Sequence, residues 1–339
     1  MKRTHISLIQ LLLLFLLLIT PCQLRDSLAV PAAGKITIRQ TEYHGWQDAI
    51  MIGNGRVEAV IVPSIGRVMQ FRFTGQESGP FWENRALDGK TPDAKSNEWG
   101  NFGGDKPWPA PQADWPRITP RAWPPPVAFD SMPSAARMGK DYVELTSAVD
   151  PHFGIRAIRR ITLDPARPVM TIRTTFEKVE GTPRKVAVWT ITQLGDPRGV
   201  FIPIPAGTQS ADRYNKQSKD LPEGLTYDNG LLSMKRSATL STKIGSDAGT
   251  LLWVGEKNAC RIDSPRVAGA EYPDQNSSAE VYTNKDPLPY VELEMLGPLS
   301  TMKPGDRIER ANRYTLYARR EKDAAAEARA ILRDALRAK

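Results

Sequence analysis

The chain has 339 residues, with 46 Lys and Arg against 38 Asp and Glu, and its formal net charge is +8. Two Cys and three widely spaced His exclude a disulfide framework, a Cys-rich zinc site and a metal-binding HExxH pair. Hydrophobic residues at 40% and charged residues at 25% are typical of a globular body, and exclude a disordered chain and an integral membrane bundle.

The first thirty residues have the pattern of a secretory signal peptide. Lys2 and Arg3 precede an apolar run whose centre, residues 11–19, is unbroken. The run is shorter than the roughly 20 residues of a spanning helix, so we predict cleavage and no stable membrane insertion afterwards. Residues 1–29 are therefore predicted to be the signal peptide of a secreted or periplasmic bacterial protein.

Most of the remaining chain alternates between apolar and polar residues, which is the period of a half-buried β-strand. Asn54-Gly55 and Asn229-Gly230 are favoured two-residue hairpin turns. Many strands joined by hairpins predict an all-β fold, with antiparallel sheets packed as a sandwich over residues 30–320. A propeller is the weaker alternative, because no repeat of fixed period is present. The predicted strands are 36–43, 49–52, 57–63, 68–73, 142–149, 155–163, 169–179, 186–194, 200–204, 225–234, 238–244, 251–254, 279–282, 290–296 and 308–318.

The last residues, 321–339, are rich in Ala and in charges of both signs. Their apolar residues form a narrow stripe at helical spacing, which predicts a surface helix docked on the sandwich. A membrane or nucleic-acid role of this helix is the alternative. The stripe consists of Ala328, Ile331, Leu332 and Leu336.

Basic residues elsewhere are scattered along the chain. The tightest central cluster, Arg156, Arg159 and Arg160, is expected to face solvent or to form salt bridges. A net charge of this size attracts anionic ligands but is not a nucleic-acid signature, so no nucleic-acid partner is predicted.

Residues 81–133 interrupt the strand pattern. The segment holds five of the eight Trp and many Pro, and Pro at this density blocks both helices and strand ladders. A long loop rich in aromatic residues favours an ordered, functional segment over disorder. Indole rings can stack on a pyranose while nearby polar groups bind its hydroxyls; alternatively, the rings plug the end of the sandwich as a satellite core. The candidate binding residues are Trp82, Asn84, Trp99, Asp105, Lys106, Trp108, Gln112 and Trp115.

This segment also carries a family resemblance. Trp82-Glu83-Asn84 followed by residues 101–112 (NFGGDKPWPAPQ) resembles a family of exported bacterial proteins of unknown function, related to the galactose mutarotase-like (aldose 1-epimerase-like) superfamily. Residues 185–194 are similar to the central mutarotase strand, and residues 290–299 to the late strand with the catalytic Glu. The resemblance covers about residues 36–318, and implies a β-supersandwich with a carbohydrate-binding cleft.

Mutarotation needs a base at the anomeric hydroxyl and an acid at the ring oxygen, and the resemblance implies a Glu and a His. Glu292 and Glu294 share one face of a predicted strand and are the candidate bases. Trp189 stands where a mutarotase carries its central-strand His, and Phe102 where some relatives carry His or Arg. His152, in a predicted turn, is the remaining candidate acid. The presence of Trp189 and Phe102 at these positions favours sugar binding without epimerase chemistry. Trp189 is then among the binding residues.

We therefore predict an exported protein that binds a mono- or oligosaccharide and uses no cofactor and no metal. The alternative is a sugar-active enzyme. It would be an epimerase with an unconventional acid, or a lyase or hydrolase that uses Glu292 or Glu294 with a second carboxylate such as Asp105. A cell-surface scaffold is the third hypothesis.

Overall fold

A computed structural model describes residues 34–92, 99–208 and 212–337, so the predicted signal peptide lies outside the described residues. Strands dominate these ranges, as the alternating pattern predicts. The strands are β1 (Thr37–Tyr43), β2 (Trp46–Gly53), β3 (Val57–Val62), β4 (Arg67–Phe73), β5 (Asp105–Ala110), β6 (Ala135–Met138), β7 (Tyr142–Thr146), β8 (Ile155–Leu163), β9 (Val169–Lys178), β10 (Arg184–Gly195), β11 (Gly199–Pro203), β12 (Asn215–Lys216), β13 (Glu223–Asp228), β14 (Leu231–Lys235), β15 (Thr242–Ser246), β16 (Thr250–Val254), β17 (Asn258–Asp263), β18 (Ala279–Thr283), β19 (Tyr290–Leu296), β20 (Ser300–Met302) and β21 (Arg307–Ala318). The helices are α1 (Trp115–Ile118), α2 (Val127–Asp130), α3 (Pro273–Asn276) and α4 (Ala324–Arg337).

The strands form two antiparallel sheets. The first has the order β1-β2-β3-β4-β5-β10-β19-β18-β15-β12, with β20 paired to β10, and the second has the order β13-β14-β11-β16-β17-β21-β9-β8-β7-β6. The main core lies between the sheets and includes Val68, Leu293 and Met295 from the first, and Ile161 and Ile172 from the second. The predicted all-β sandwich is confirmed.

The C-terminal helix α4 packs on the outer side of the second sheet. Ala328 and Ile331 are fully buried there against Phe201 of β11 and Leu252 of β16. The helix begins at Ala324, three residues after the predicted start, and residues 338 and 339 lie outside the described part. No helix within the described ranges has the length and apolar character of a membrane span.

The structure contains strands that the sequence pattern does not predict, namely β6, β12, β17 and β20, and it places the central strand β5 inside the Trp- and Pro-rich segment. β5 pairs with β10 along its whole length but with β4 only at Val68 and Asp105. Alternate residues direct their N–H groups to opposite sides of a strand, so Pro107 and Pro109 can both face the side without a partner. Two Pro in alternate positions therefore cost this strand no ladder hydrogen bond.

Candidate functional site

One face of the first sheet forms the floor of a cavity of about 940 Å³. On β19, Val291 and Leu293 enter the core between the sheets, whereas Glu292 and Glu294 line the cavity on the opposite side. A strand that is buried on both faces thus carries its carboxylates on the cavity side only.

Sheet register extends this floor across neighbouring strands, since residues directly opposite one another share a face. Glu292 lies opposite Gln193 of β10 on one side and Tyr282 of β18 on the other. Trp189 of β10 lies opposite Trp108 of β5. The floor is therefore assembled from strands that are far apart in the sequence.

A partly buried lysine bridges two carboxylates at one end of the floor. Lys243 Nζ lies 2.7 Å from Glu280 and 2.9 Å from Glu294, and the Trp189 indole N–H also donates to Glu294 at 2.7 Å. Burial raises the pKa of Glu280 to about 8 although Lys243 opposes the shift. Burial alone would lower the pKa of Lys243, but the two carboxylates outweigh it and raise this pKa. The charges of this triad are satisfied by each other.

The second charged pair, Lys106 and Glu292, is held less tightly. Lys106 Nζ lies 3.8 Å from Glu292 Oε1, which also accepts a hydrogen bond from Gln193 at 2.9 Å. Burial lowers the pKa of Lys106 to about 8 and raises the pKa of Glu292 to about 7. Both groups can therefore exchange a proton near neutral pH, which is a property of acid–base groups in active sites.

Three indole rings form one wall of the cavity. Trp99 and Trp108 donate their indole N–H groups to the two oxygens of Asp130, at 3.1 and 3.0 Å. Asp130 is held in turn by Arg67 at 2.9 Å. Trp123 packs edge-to-face on both of these rings and is 45% exposed. The carboxylate fixes the wall, and Trp123 presents the most accessible ring.

Several buried polar atoms around the cavity have no hydrogen-bond partner in the described chain. They are Lys106 Nζ, both amide atoms of Asn101, Gln193 Oε1 and Glu294 Oε1. Their residues are at most 6% exposed. An unsatisfied buried polar atom costs about 1–3 kcal/mol, so this set favours a bound polar molecule with both donors and acceptors.

Most of the residues that the sequence predicts for the site meet at this cavity. Lys106 lies beside the lining residue Glu292, and the Trp82 ring packs on Tyr290, which also lines the cavity, at 4.7 Å between ring centres. The predicted residues in the lining itself are Asn84, Trp99, Trp108, Gln112, Trp189, Glu292 and Glu294.

Asp105 is not in the lining. It alternates with Lys106 on β5 and so faces the space between the sheets. There it forms an ion pair with Arg159 and accepts hydrogen bonds from Thr192 and Tyr314, both at 2.6 Å. These contacts occupy the carboxylate as a link between the sheets.

Trp115 and His152 also lie outside the lining. Trp115 is fully buried, donates to the carbonyl of Pro109 at 2.8 Å and packs on Trp108, which fits the satellite-core alternative. His152 is exposed in the turn between β7 and β8. The backbone N–H of His152 donates a hydrogen bond to the Asp150 carboxylate, which shapes that turn.

Sequence reasoning missed several residues of the site. Tyr282 and Glu280 alternate with buried apolar residues on β18, as Glu292 and Glu294 do on β19, and this shared pattern is a usable signal. On β15, Lys243 likewise stands between two buried residues, Thr242 and Ile244. No local pattern marks Asp130, which lies in the Pro-rich segment.

The carboxylates of the site are held by nitrogen donors. Lys243 forms ion pairs with Glu280 and Glu294, and Gln193 donates a hydrogen bond to Glu292. Within residues 34–92, 99–208 and 212–337, no three His, Cys, Asp or Glu side chains are grouped as metal ligands.

Solved structures with the same architecture carry names that agree on the fold. A galactose mutarotase-like protein from Lactobacillus casei ATCC 334 superposes with a TM-score of 0.52 and 9% identity, covering 79% of this chain and 100% of that one. A galactose mutarotase related enzyme from Lactobacillus acidophilus gives a TM-score of 0.50 and 9% identity, with coverage of 80% and 97%. This chain has the galactose mutarotase-like fold.

The same fold is matched within a larger protein. A TPR-domain containing protein from Parabacteroides distasonis ATCC 8503 gives a TM-score of 0.56 and 13% identity over 81% of this chain. The present chain spans about half of that protein, 48% of its length. Neither a protein-family model nor a curated protein matches the sequence. The galactose mutarotase-like fold is thus established by architecture, at identities that do not carry activity with them.

Proposed function

We propose that this protein is an exported carbohydrate-binding protein that holds a mono- or oligosaccharide in the cavity of the first sheet. The observation that carries the proposal is an indole wall, Trp99, Trp108 and Trp123, beside a polar sheet floor with unpartnered hydrogen-bonding atoms. A sugar ring offers an apolar face to the indoles and hydroxyls, which both donate and accept, to the floor. Export rests on residues 1–29 of the sequence.

The fold of the neighbours supports the same ligand class. Two solved structures that share it carry mutarotase in their names, and a mutarotase acts on sugars. Each charged side chain near the floor has a partner of opposite charge, because Lys106 faces Glu292 and Lys243 faces Glu280 and Glu294. A neutral sugar can enter without leaving a charge unpaired.

A binding screen tests the proposal. The purified protein is titrated with neutral and acidic mono- and oligosaccharides, and binding is followed by Trp fluorescence and calorimetry. Trp123→Ala is expected to weaken the binding of the best ligand about tenfold, because a stacking ring is lost. Tyr227→Ala, an exposed aromatic of the second sheet outside the cavity lining, is the matched control and should change affinity by less than about twofold. Failure of every sugar to bind would refute the proposal.

A second candidate function, a sugar-active enzyme, is favoured by one specific observation. Glu292 has a pKa near 7 and lies 3.8 Å from Lys106, so a base and an acid stand side by side. Glu294 is a weaker choice of base because Trp189 and Lys243 already bind it. Polarimetry with any sugar that binds distinguishes the two functions. An epimerase should accelerate mutarotation and lose that rate, with binding retained, in Glu292→Gln. A lyase or hydrolase would instead release cleaved products, so an unchanged spontaneous rate together with an intact sugar identifies a binding protein.

A further inference from the structure

The open half of the second sheet carries an arginine-rich outer surface. Helix α4 covers the outer side around β11, β14 and β16, whereas β6, β7, β8, β9, β21 and β17 turn alternate residues to solvent. On these six strands seven arginines and four acidic residues occupy the outward positions, without a lysine, so the surface has a net charge of +3. We call this set the arginine face: Arg137, Arg156, Arg160, Arg173, Arg261, Arg307 and Arg313, with Glu144, Glu177, Asp263 and Glu309.

Sheet register places like charges against each other on this face. Arg160 of β8 lies directly opposite Arg173 of β9, and Glu144 of β7 flanks Arg160 on its other side. Arg137 of β6 lies beyond Glu144, so one carboxylate stands in a row with three guanidinium groups. Like charges directly opposite one another destabilise a sheet. Glu144 pairs with Arg160 and Glu309 pairs with Arg173, which offsets part of this repulsion, and an anion above the two arginines would relieve the rest.

Two of the four carboxylates of the face are each shared by two arginines, whereas Glu309 and Asp263 each pair with one, Arg173 and Arg261. Glu144 accepts from Arg137 through one oxygen, at 2.7 Å, and from Arg160 through the other, at 2.8 Å. Glu177 likewise accepts from Arg156 through one oxygen, at 2.7 Å, and from Arg307 through the other, at 3.0 Å. Each guanidinium has five N–H groups, so every one of these arginines keeps donors for a further anion.

The Arg261 side chain is only 13% exposed, but most of the other arginines are accessible and form exposed ion pairs. The side chains of Arg137, Arg160 and Arg307 are 59%, 44% and 61% exposed. Exposed ion pairs contribute about 0–1 kcal/mol each, so the guanidinium groups can reorient towards a ligand at little cost. Arg313 forms no ion pair with any described residue.

We propose that the arginine face binds an anionic polysaccharide through its carboxylate or sulfate groups. Guanidinium groups match these anions with paired hydrogen bonds. The threonines between the arginine rows add hydroxyls that suit the neutral parts of a sugar chain. They are Thr146, Thr162, Thr171, Thr175 and Thr315.

The shape of the face favours a polysaccharide over other polyanions. The six strands present the broad surface of a sheet, and not the helix or the separate two-stranded ribbon that enters the major groove of DNA. Arg137 and Arg160 lie against the ring of Tyr142, at 5.0 and 4.2 Å, which disfavours base stacking on it. Met138 of the edge strand β6 is the one large apolar side chain that is exposed on the described residues of these six strands, and Ile158 is half-buried, so the face provides little for insertion into a membrane.

Binding to polygalacturonate and to dextran sulfate at low salt tests this inference, with neutral dextran as the uncharged probe. Arg160→Gln/Arg173→Gln should weaken polyanion binding at least about tenfold, and added salt should weaken it further. Arg39→Gln/Arg198→Gln removes the same charge from exposed positions outside the face and should stay within about twofold of wild type.

Three results would overturn the inference: no binding of either polyanion, an equal loss in both double variants, or equally tight binding of a DNA duplex or of phosphatidylglycerol vesicles. If the Arg160/Arg173 variant fails to fold, Arg156→Gln/Arg307→Gln should give the same loss. The inference does not depend on the cavity. Trp123→Ala should leave polyanion binding unchanged, and the face should bind even if the cavity binds no sugar.

Discussion

At the scale of single residues, the main feature is that Lys106 and Glu292 are buried together without full hydrogen bonding. Lys106 is fully buried, Glu292 is 8% exposed, and they lie 3.8 Å apart. Burial disfavours the charge on each, and the attraction between them is too weak at this distance to restore ordinary pKa values. The pair therefore changes its protonation close to physiological pH.

This pair predicts a pH dependence of stability. Below pH 4.5 Glu292 is protonated in the folded and in the unfolded protein. Between about pH 4.5 and 7 the unfolded chain releases this proton, whereas the folded protein keeps it. The folded state binds more protons in this window, so the free energy of unfolding falls as pH rises through it, by about 1–3 kcal/mol. Glu292→Gln should remove this part of the fall in denaturant titrations at pH 4.5, 5.5 and 7.

Glu271→Gln, at an exposed ion pair with Lys185, is the control and should keep the wild-type pH profile. Glu280 also has a raised pKa, so part of the fall should persist in the Glu292 variant. A wild-type slope that Glu292→Gln leaves unchanged would contradict the assigned shift.

At the scale of elements, α4 shows how a helix is stabilised by one buried stripe. Asp323 caps its start by accepting a hydrogen bond from the backbone N–H of Ala326 at 2.8 Å. Glu327 holds the preceding chain by accepting from the backbone N–H groups of Arg320 and Glu321 at 3.0 and 2.7 Å. Ile331 is fully buried against the second sheet, whereas Leu336 is 72% exposed. The predicted apolar stripe is thus correct near the helix start and is lost towards its end.

Two matched truncations test this helix. Ile331→Ala should lower the free energy of unfolding by about 2–4 kcal/mol, because a filled site between helix and sheet becomes a cavity. Leu336→Ala removes a similar side chain from solvent and should change it by less than about 0.5 kcal/mol. Urea titrations of both variants measure the difference, and equal effects would show that α4 does not pack as described.

At the scale of the whole molecule, Asp105 links the two sheets. It belongs to β5 of the first sheet, but its partners Arg159 and Tyr314 belong to β8 and β21 of the second. Lys106, the next residue, faces the cavity side with the indoles. One dipeptide therefore joins the sandwich on one face and builds the site on the other.

Asp105→Asn should destabilise the protein by about 3–5 kcal/mol, because the buried Arg159 loses its counter-charge. Glu256→Gln breaks the exposed pair with Arg198 and should cost less than about 1 kcal/mol. Thermal and urea unfolding of the two variants provide the comparison. A small loss in Asp105→Asn would mean that this link between the sheets is not needed.

Part of the site could be predicted, and the rest could not. The sequence places Glu292 and Glu294 on one face, because strand alternation is a property of the chain itself. The sequence predicts Asp105 near a sugar, yet β5 turns it between the sheets. The prediction fails because Pro and Trp hide the strand period that would assign its face. Lys243 and Asp130 were missed because their partners are distant in sequence.

The sequence by itself determined the strand-rich sandwich, the Asn-Gly hairpins, the C-terminal helix and the pairing of two carboxylates on one strand face. These follow from interactions between residues a few positions apart, which composition and period express directly. Only the tertiary structure decided that β5, β10, β19, β18 and β15 lie side by side, and so brought Lys106 to Glu292 and Lys243 to Glu294. Strand order depends on burial and register between distant segments, which no local pattern encodes.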